Sequence, residues 1–68
     1  MAGEVVQRTD GKYEETLSGT WTAEYSEDPE TGLWVVAVFK HDVLEWRETG
    51  YATLEECRHG AYEFYNQV

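Results

Sequence analysis

Gly32 to Lys40 reads "GLWVVAVFK", an unbroken apolar run from Leu33 to Phe39 inside a strongly acidic chain. Successive side chains of a β-strand point to opposite faces of its sheet, so a strand with one face in water alternates apolar and polar residues. This one does not alternate. It has the length of a strand and falls far short of the roughly 20 residues of a membrane-spanning helix. Both of its faces therefore need cover, and the flanking segments decide what supplies it.

On the amino-terminal side, "TWTAEYSE" does alternate, with Trp21, Ala23 and Tyr25 on one face and Thr22, Glu24 and Ser26 on the other. The "DPETG" that joins the two is turn chemistry: Pro29 presets φ, and Gly32 tolerates positive φ. On the carboxy-terminal side, His41-Asp42 forms a tight connection into "VLEWRET", a strand with Leu44 and Trp46 on one face, and Gly50 closes the sheet. "TLEECRHGAYEFYNQV" then reads as a helix. Thr53 and Glu56 make a capping box, each side chain suited to a backbone N–H of the other. At 100° per residue, Leu54, Cys57, Ala61, Phe64, Tyr65 and Val68 fall in one apolar stripe. Gly60, at its edge, permits close approach to the sheet or marks a bend. Residues 1–19 form an N-terminal hairpin around Asp10-Gly11 or a flexible arm, because their segments are polar and poorly patterned. The expected fold is α+β: a three-stranded antiparallel meander in residues 20–68, packed on one C-terminal helix.

Fourteen acids face five Lys and Arg in 68 residues, a formal net charge of −9. Surfaces that bind nucleic acid do so by neutralising phosphates, so this chain is expected to be repelled by DNA, RNA and acidic membranes alike. The high aromatic content argues against disorder. The single cysteine, Cys57, excludes an internal disulfide and fits a reducing compartment. With no signal pattern at the start, the expectation is a cytoplasmic protein.

The order of signals from Trp21 onward resembles the AP2-like DNA-binding domain, including the arm-type domains of tyrosine recombinases. "GTWTAEYSEDPETG" resembles that family's first strand and turn, and "GYATLEECRHGAYEFY" its entry into the helix, covering about residues 19 to 66. The resemblance implies a three-stranded sheet on one helix, with the far face of the sheet reading DNA through Arg, Lys and Trp. HicB-type antitoxin domains resemble the chain nearly as well, apart from an additional amino-terminal helix with no counterpart in this pattern. At the positions that would meet DNA, only Trp34 and Arg47 suit a nucleic-acid surface, so the family's phosphate-binding role is not carried over.

Little here points to catalysis. Cys57 and His59 lie about 200° apart around a helix and cannot grip one ion together, and His41 beside Asp42 reads as a solvated turn. No nucleophile elbow, phosphate-cradling loop or dinucleotide fingerprint is present. No enzyme activity, cofactor or metal is expected. The remaining signal is the apolar strand. If Leu33, Val35, Ala37 and Phe39 pack with Trp21, Ala23, Tyr25, Leu44 and Trp46 under the helix, Trp34, Val36 and Val38 face the other way. The hairpin folding across them with Val5, Val6, Tyr13 or Leu17, a protein partner, or a second copy would cover them. The expected partner-binding surface is Trp34, Val36 and Val38, rimmed by Glu24, Glu27, Asp28, Glu30 and Glu45. Its expected occupant is a nucleic-acid-binding protein or nuclease, with carboxylates standing where phosphates stand, as in small anti-CRISPR or anti-restriction proteins of phages and mobile elements. The alternative is a structural or adaptor domain whose acidity serves solubility.

Overall fold

A six-residue loop, Asp28 to Leu33, sets which side chains of this sheet are core. In the computed structural model, which describes residues 4–68, Asp28 N–H donates to the Leu33 carbonyl at 2.7 Å and Gly32 N–H to the Asp28 carbonyl at 2.8 Å. Asp28 Oδ1 accepts from Glu30 N–H at 2.9 Å, and Gly32 takes φ +74°, the left-handed conformation that glycine adopts without steric cost. The loop thus contains Leu33, and the paired strands begin at Glu27 and Trp34.

One antiparallel sheet runs in the order β1 (Val5–Gln7), β2 (Tyr13–Thr16), β3 (Trp21–Glu27), β4 (Trp34–Lys40), β5 (Val43–Tyr51), and a single helix, α1 (Leu54–Tyr65), follows. The α+β class holds, but the sheet has five strands and not three. β1 and β2 do form a hairpin, and β2 pairs edge to edge with β3, Glu15 opposite Ala23. It lengthens the sheet instead of folding across a face. The first three residues of the expected N-terminal segment lie outside those described.

The turns are built by local chemistry. In the β1–β2 turn only Gly11 has positive φ, +89°, and Asp10 Oδ1 accepts from Lys12 N–H at 3.0 Å. At the β4–β5 turn both His41 (φ 51°) and Asp42 (φ 64°) are left-handed, the geometry whose twist suits a two-residue hairpin. Gly50 (φ 94°) does not close the sheet. It is an extra residue inside β5, between Thr49 opposite Val35 and Tyr51 opposite Trp34. A second irregularity leaves Glu45 unpaired between Leu44 and Trp46, so those two side chains do not share a face as expected.

Thr53 Oγ1 caps α1 by accepting from Glu56 N–H at 3.2 Å. The helix packs across β3, β4 and β5 and buries Cys57 and Ala61 against Ala23, Tyr25, Val36 and Val38, with Leu17 completing the core. Leu54, Phe64 and Tyr65 join from the stripe, whereas Val68 lies past the helix end and is exposed. Gly60 sits under Tyr51 so closely that a Cβ there would stand 2.5 Å from the Tyr51 hydroxyl. Close approach, not a bend, is what this glycine provides.

Candidate functional site

The side of the sheet away from α1 has no layer over it among the described residues, and it divides into two halves. Across β1 to β3 it is ionic. Arg8 Nη1 donates to Glu24 Oε2, Nη2 donates to Asp10 Oδ2 at 2.6 Å, and Lys12 Nζ stands 3.5 Å from Glu24 Oε1. Across β4 it is apolar, and β5 adds Leu44 together with Thr49 and the cation Arg47. Val35, Ala37 and Phe39 lie between Ser26, Glu24 and Thr22 on one side and Thr49, Arg47 and Leu44 on the other. Val35 and Phe39 are half-buried by their neighbours alone, and Leu44 is 52% exposed. Val6, at the β1 margin, is 56% exposed.

Acids ring the apolar half. Asp28 and Glu30 stand at the β3–β4 end and Asp42 and Glu45 near the β4–β5 end, while Glu27, opposite Trp34, belongs to the helix side; none forms an ion pair among the described residues. A shallow groove of about 530 Å³ runs between the two turns at the first end, floored by Ser26, Val35 and Arg47 and walled by Lys12 and Asp28. A smaller hollow of about 170 Å³ at the other end is lined by Arg8, Glu14, Thr22, Phe39 and Asp42.

This arrangement reverses the expected apolar residues. Val36 and Val38 have no exposed surface, and Trp34 packs against the core with its ring 5.9 Å from Tyr13. All three lie under the helix, opposite Tyr25, Ala23 and Glu27. The cause is the single residue by which the loop exceeds "DPETG": a one-residue shift moves every side chain of a strand to the other face. Leu33, expected in the core, is 41% exposed. Of the expected acids, Glu27, Asp28, Glu30 and Glu45 keep uncompensated charge, but Glu24 is bridged by two cations and contributes little net field.

The least expected residue is Glu15, on the helix side of β2 with its carboxylate fully buried. Tyr25 Oη donates to Oε1 at 2.8 Å and Tyr62 Oη to Oε2 at 2.7 Å. Arg58 closes the site with a two-pronged contact, Nε to Oε1 and Nη2 to Oε2, both at 3.1 Å. Burial opposes ionisation of this carboxyl, but the hydrogen bonds of Arg58, Tyr62 and Tyr25 outweigh it and hold it below the usual carboxylate range. Burial, then the bond to Glu15, pushes the Tyr25 phenol far above its ordinary value. A fixed, ionised and fully satisfied carboxylate tethers the hairpin to the helix and has no proton to give or take. The alternation Tyr13, Glu15, Leu17 carried the signal, together with Arg58 and Tyr62 one helical turn apart.

Cys57 is sealed, and burial followed by the charge of Glu56 pushes its thiol up to about 11, away from the reactive thiolate. His59 points outward to Glu63, Nδ1 to Oε1 3.2 Å. Among the described residues no group of three or more His, Cys, Asp or Glu is placed to hold a metal ion, and no helix is long and apolar enough to cross a membrane. No protein family, curated protein or solved structure matches the chain.

Proposed function

We propose that this is a small acidic protein-binding inhibitor that occupies the nucleic-acid-binding site of a partner with its open sheet face. The observation that carries the reading is the uncovered strip Val35, Phe39 and Leu44, interrupted by the cation Arg47 opposite Ala37, with Asp28, Glu30, Asp42 and Glu45 at its two ends. A basic groove evolved for phosphates attracts these carboxylates over several ångströms and speeds encounter, while desolvation of the strip holds the complex once formed. The domain itself does not bind nucleic acid.

The ionic half favours a second reading. Arg8 and Lys12 spend their charge on Asp10 and Glu24, so part of the acidity ties one edge of the sheet together, as it would in a structural or adaptor domain. Affinity capture from a lysate, eluted by a salt gradient and then by competing DNA or RNA, separates the two. Release of a nucleic-acid-binding protein by moderate salt and by nucleic acid supports the inhibitor. Recovery of a partner that salt and nucleic acid leave bound rules it out.

A further inference from the structure

A second concave site lies on the opposite side of the molecule, between α1 and the end of β5. It is a cleft of about 230 Å³ lined by Trp46, Tyr51, Gly60, Glu63 and Phe64, with His59 and Gln67 at its lip. Its floor is rigid: the Trp46 ring stacks on Phe64 at 5.0 Å and 7°, and Tyr51 is pinned against Gly60. Its charge is of one sign. Glu63 lines it, and Glu48, opposite Val36, lies on the same helix side of β5; burial first, then these carboxylates, pushes the Tyr51 phenol above its ordinary value. Among the described residues no Lys or Arg lines it. His59 engages Glu63 Oε1, and Oε2 makes no hydrogen bond among the described residues.

Aromatic faces beside a free carboxylate oxygen suit one kind of group. A guanidinium is planar and stacks flat on an indole or phenol ring while an N–H at its edge donates to that oxygen, a geometry that a compact, strongly hydrated ammonium does not match. We propose that the cleft is a receptor for an arginine side chain presented by another polypeptide, with the guanidinium against Trp46 and Tyr51 and an N–H at its edge donating to Glu63. That the polypeptide is the partner of the open face rests on the proposed function; the cleft's chemistry does not.

The test needs no partner. The ¹⁵N-labelled protein is titrated with the blocked tripeptide acetyl-Gly-Arg-Gly-amide, and in parallel with its citrulline and lysine counterparts and with free arginine. Saturable shifts of the Trp46 indole N–H and of the Gly60 and Gln67 amides are expected with the arginine peptide. Glu63→Gln, an exposed position that leaves the fold alone, should weaken binding about threefold to tenfold, the range for one charge-assisted contact at a partly exposed site. Citrulline, which has the shape without the charge, should bind at least as weakly as the arginine peptide binds to Glu63→Gln. Equal shifts from citrulline, tighter binding of the lysine peptide, or tighter binding of free arginine than of the peptide would each overturn the assignment. So would arginine shifts that map to Phe39 and Leu44, which would place the cation on the open face instead. Failure here leaves the capture experiment untouched, and failure of capture leaves this titration interpretable.

Discussion

Replacing Glu15 by alanine should remove a large share of the stability of this domain. Glu15 is fully buried and accepts four hydrogen bonds, from Tyr25, Tyr62 and twice from Arg58. Hydrogen bonds to a charged group contribute about 1.5–3 kcal/mol each, and orphaning one partner of a buried ion pair costs about 3–5 kcal/mol. These do not add, and the Arg58 side chain, 27% exposed, can turn to Glu55 and water. A net cost of about 3–4 kcal/mol follows, with the buried Tyr25 hydroxyl left without its acceptor. A domain of this size holds on the order of 3–10 kcal/mol in all. Urea unfolding followed by tryptophan fluorescence measures it. Glu15→Ala should lose at least about a third of the midpoint concentration, Tyr25→Phe should lose about 1–2 kcal/mol, and Glu15→Gln should fall between wild type and Glu15→Ala. A Glu15→Ala protein within about 1 kcal/mol of wild type would refute the view that this carboxylate ties hairpin to helix.

The same carboxylate sets the acid limit: its pKa is lowered on folding, so below the ordinary 4.5 the unfolded chain binds the proton more readily and stability falls as pH drops, an effect Glu15→Gln should flatten in pH-dependent melts. Cys57, raised to about 11 from 9.0, acts at the other end: the unfolded chain loses the proton first, so stability should decline above pH 9, and a thiol reagent should modify Cys57 only at the rate of unfolding. Val38→Asp should abolish folding, whereas Phe39→Asp, one residue on and on the open face, should leave the circular dichroism spectrum and melting cooperativity intact. Gly60→Ala should cost on the order of 1 kcal/mol by displacing Tyr51, yet stabilise by up to about 1 kcal/mol in a Tyr51→Ala background, where only helix propensity remains.

The helix was legible because two independent signals, the Thr53 cap and the apolar stripe, agreed on it, and β3 was legible by its clean alternation. The apolar run of β4 identified a strand with two apolar faces but held no information on which face was which, since Val35, Val36, Ala37 and Val38 are interchangeable by pattern. Only the length of the loop carried that, and it turned on whether Leu33 ended the loop or began the strand. The hairpin of β1 and β2 was legible as one alternative from Asp10-Gly11, but its pairing onto β3 was hidden for a related reason. β2 puts a carboxylate where a core residue belongs, and its compensation by Arg58 lies 43 positions away in sequence. The candidate acids at the β3–β4 loop were visible as a local charge run, whereas the neutralisation of Glu24 needed β2 to pair with β3 and so bring Arg8 and Lys12 of the β1–β2 turn within reach.

The docking role of the open face is tested most directly by comparing capture of a partner by wild type and by Phe39→Asp, after both are shown to be folded. Loss of a half-buried aromatic from the centre of the interface should weaken the complex at least tenfold, with Val35→Asp behaving alike and Glu63→Gln changing it far less. Equal capture by wild type and Phe39→Asp, or an oligonucleotide retained by the purified domain at ordinary ionic strength, would contradict a protein-docking face.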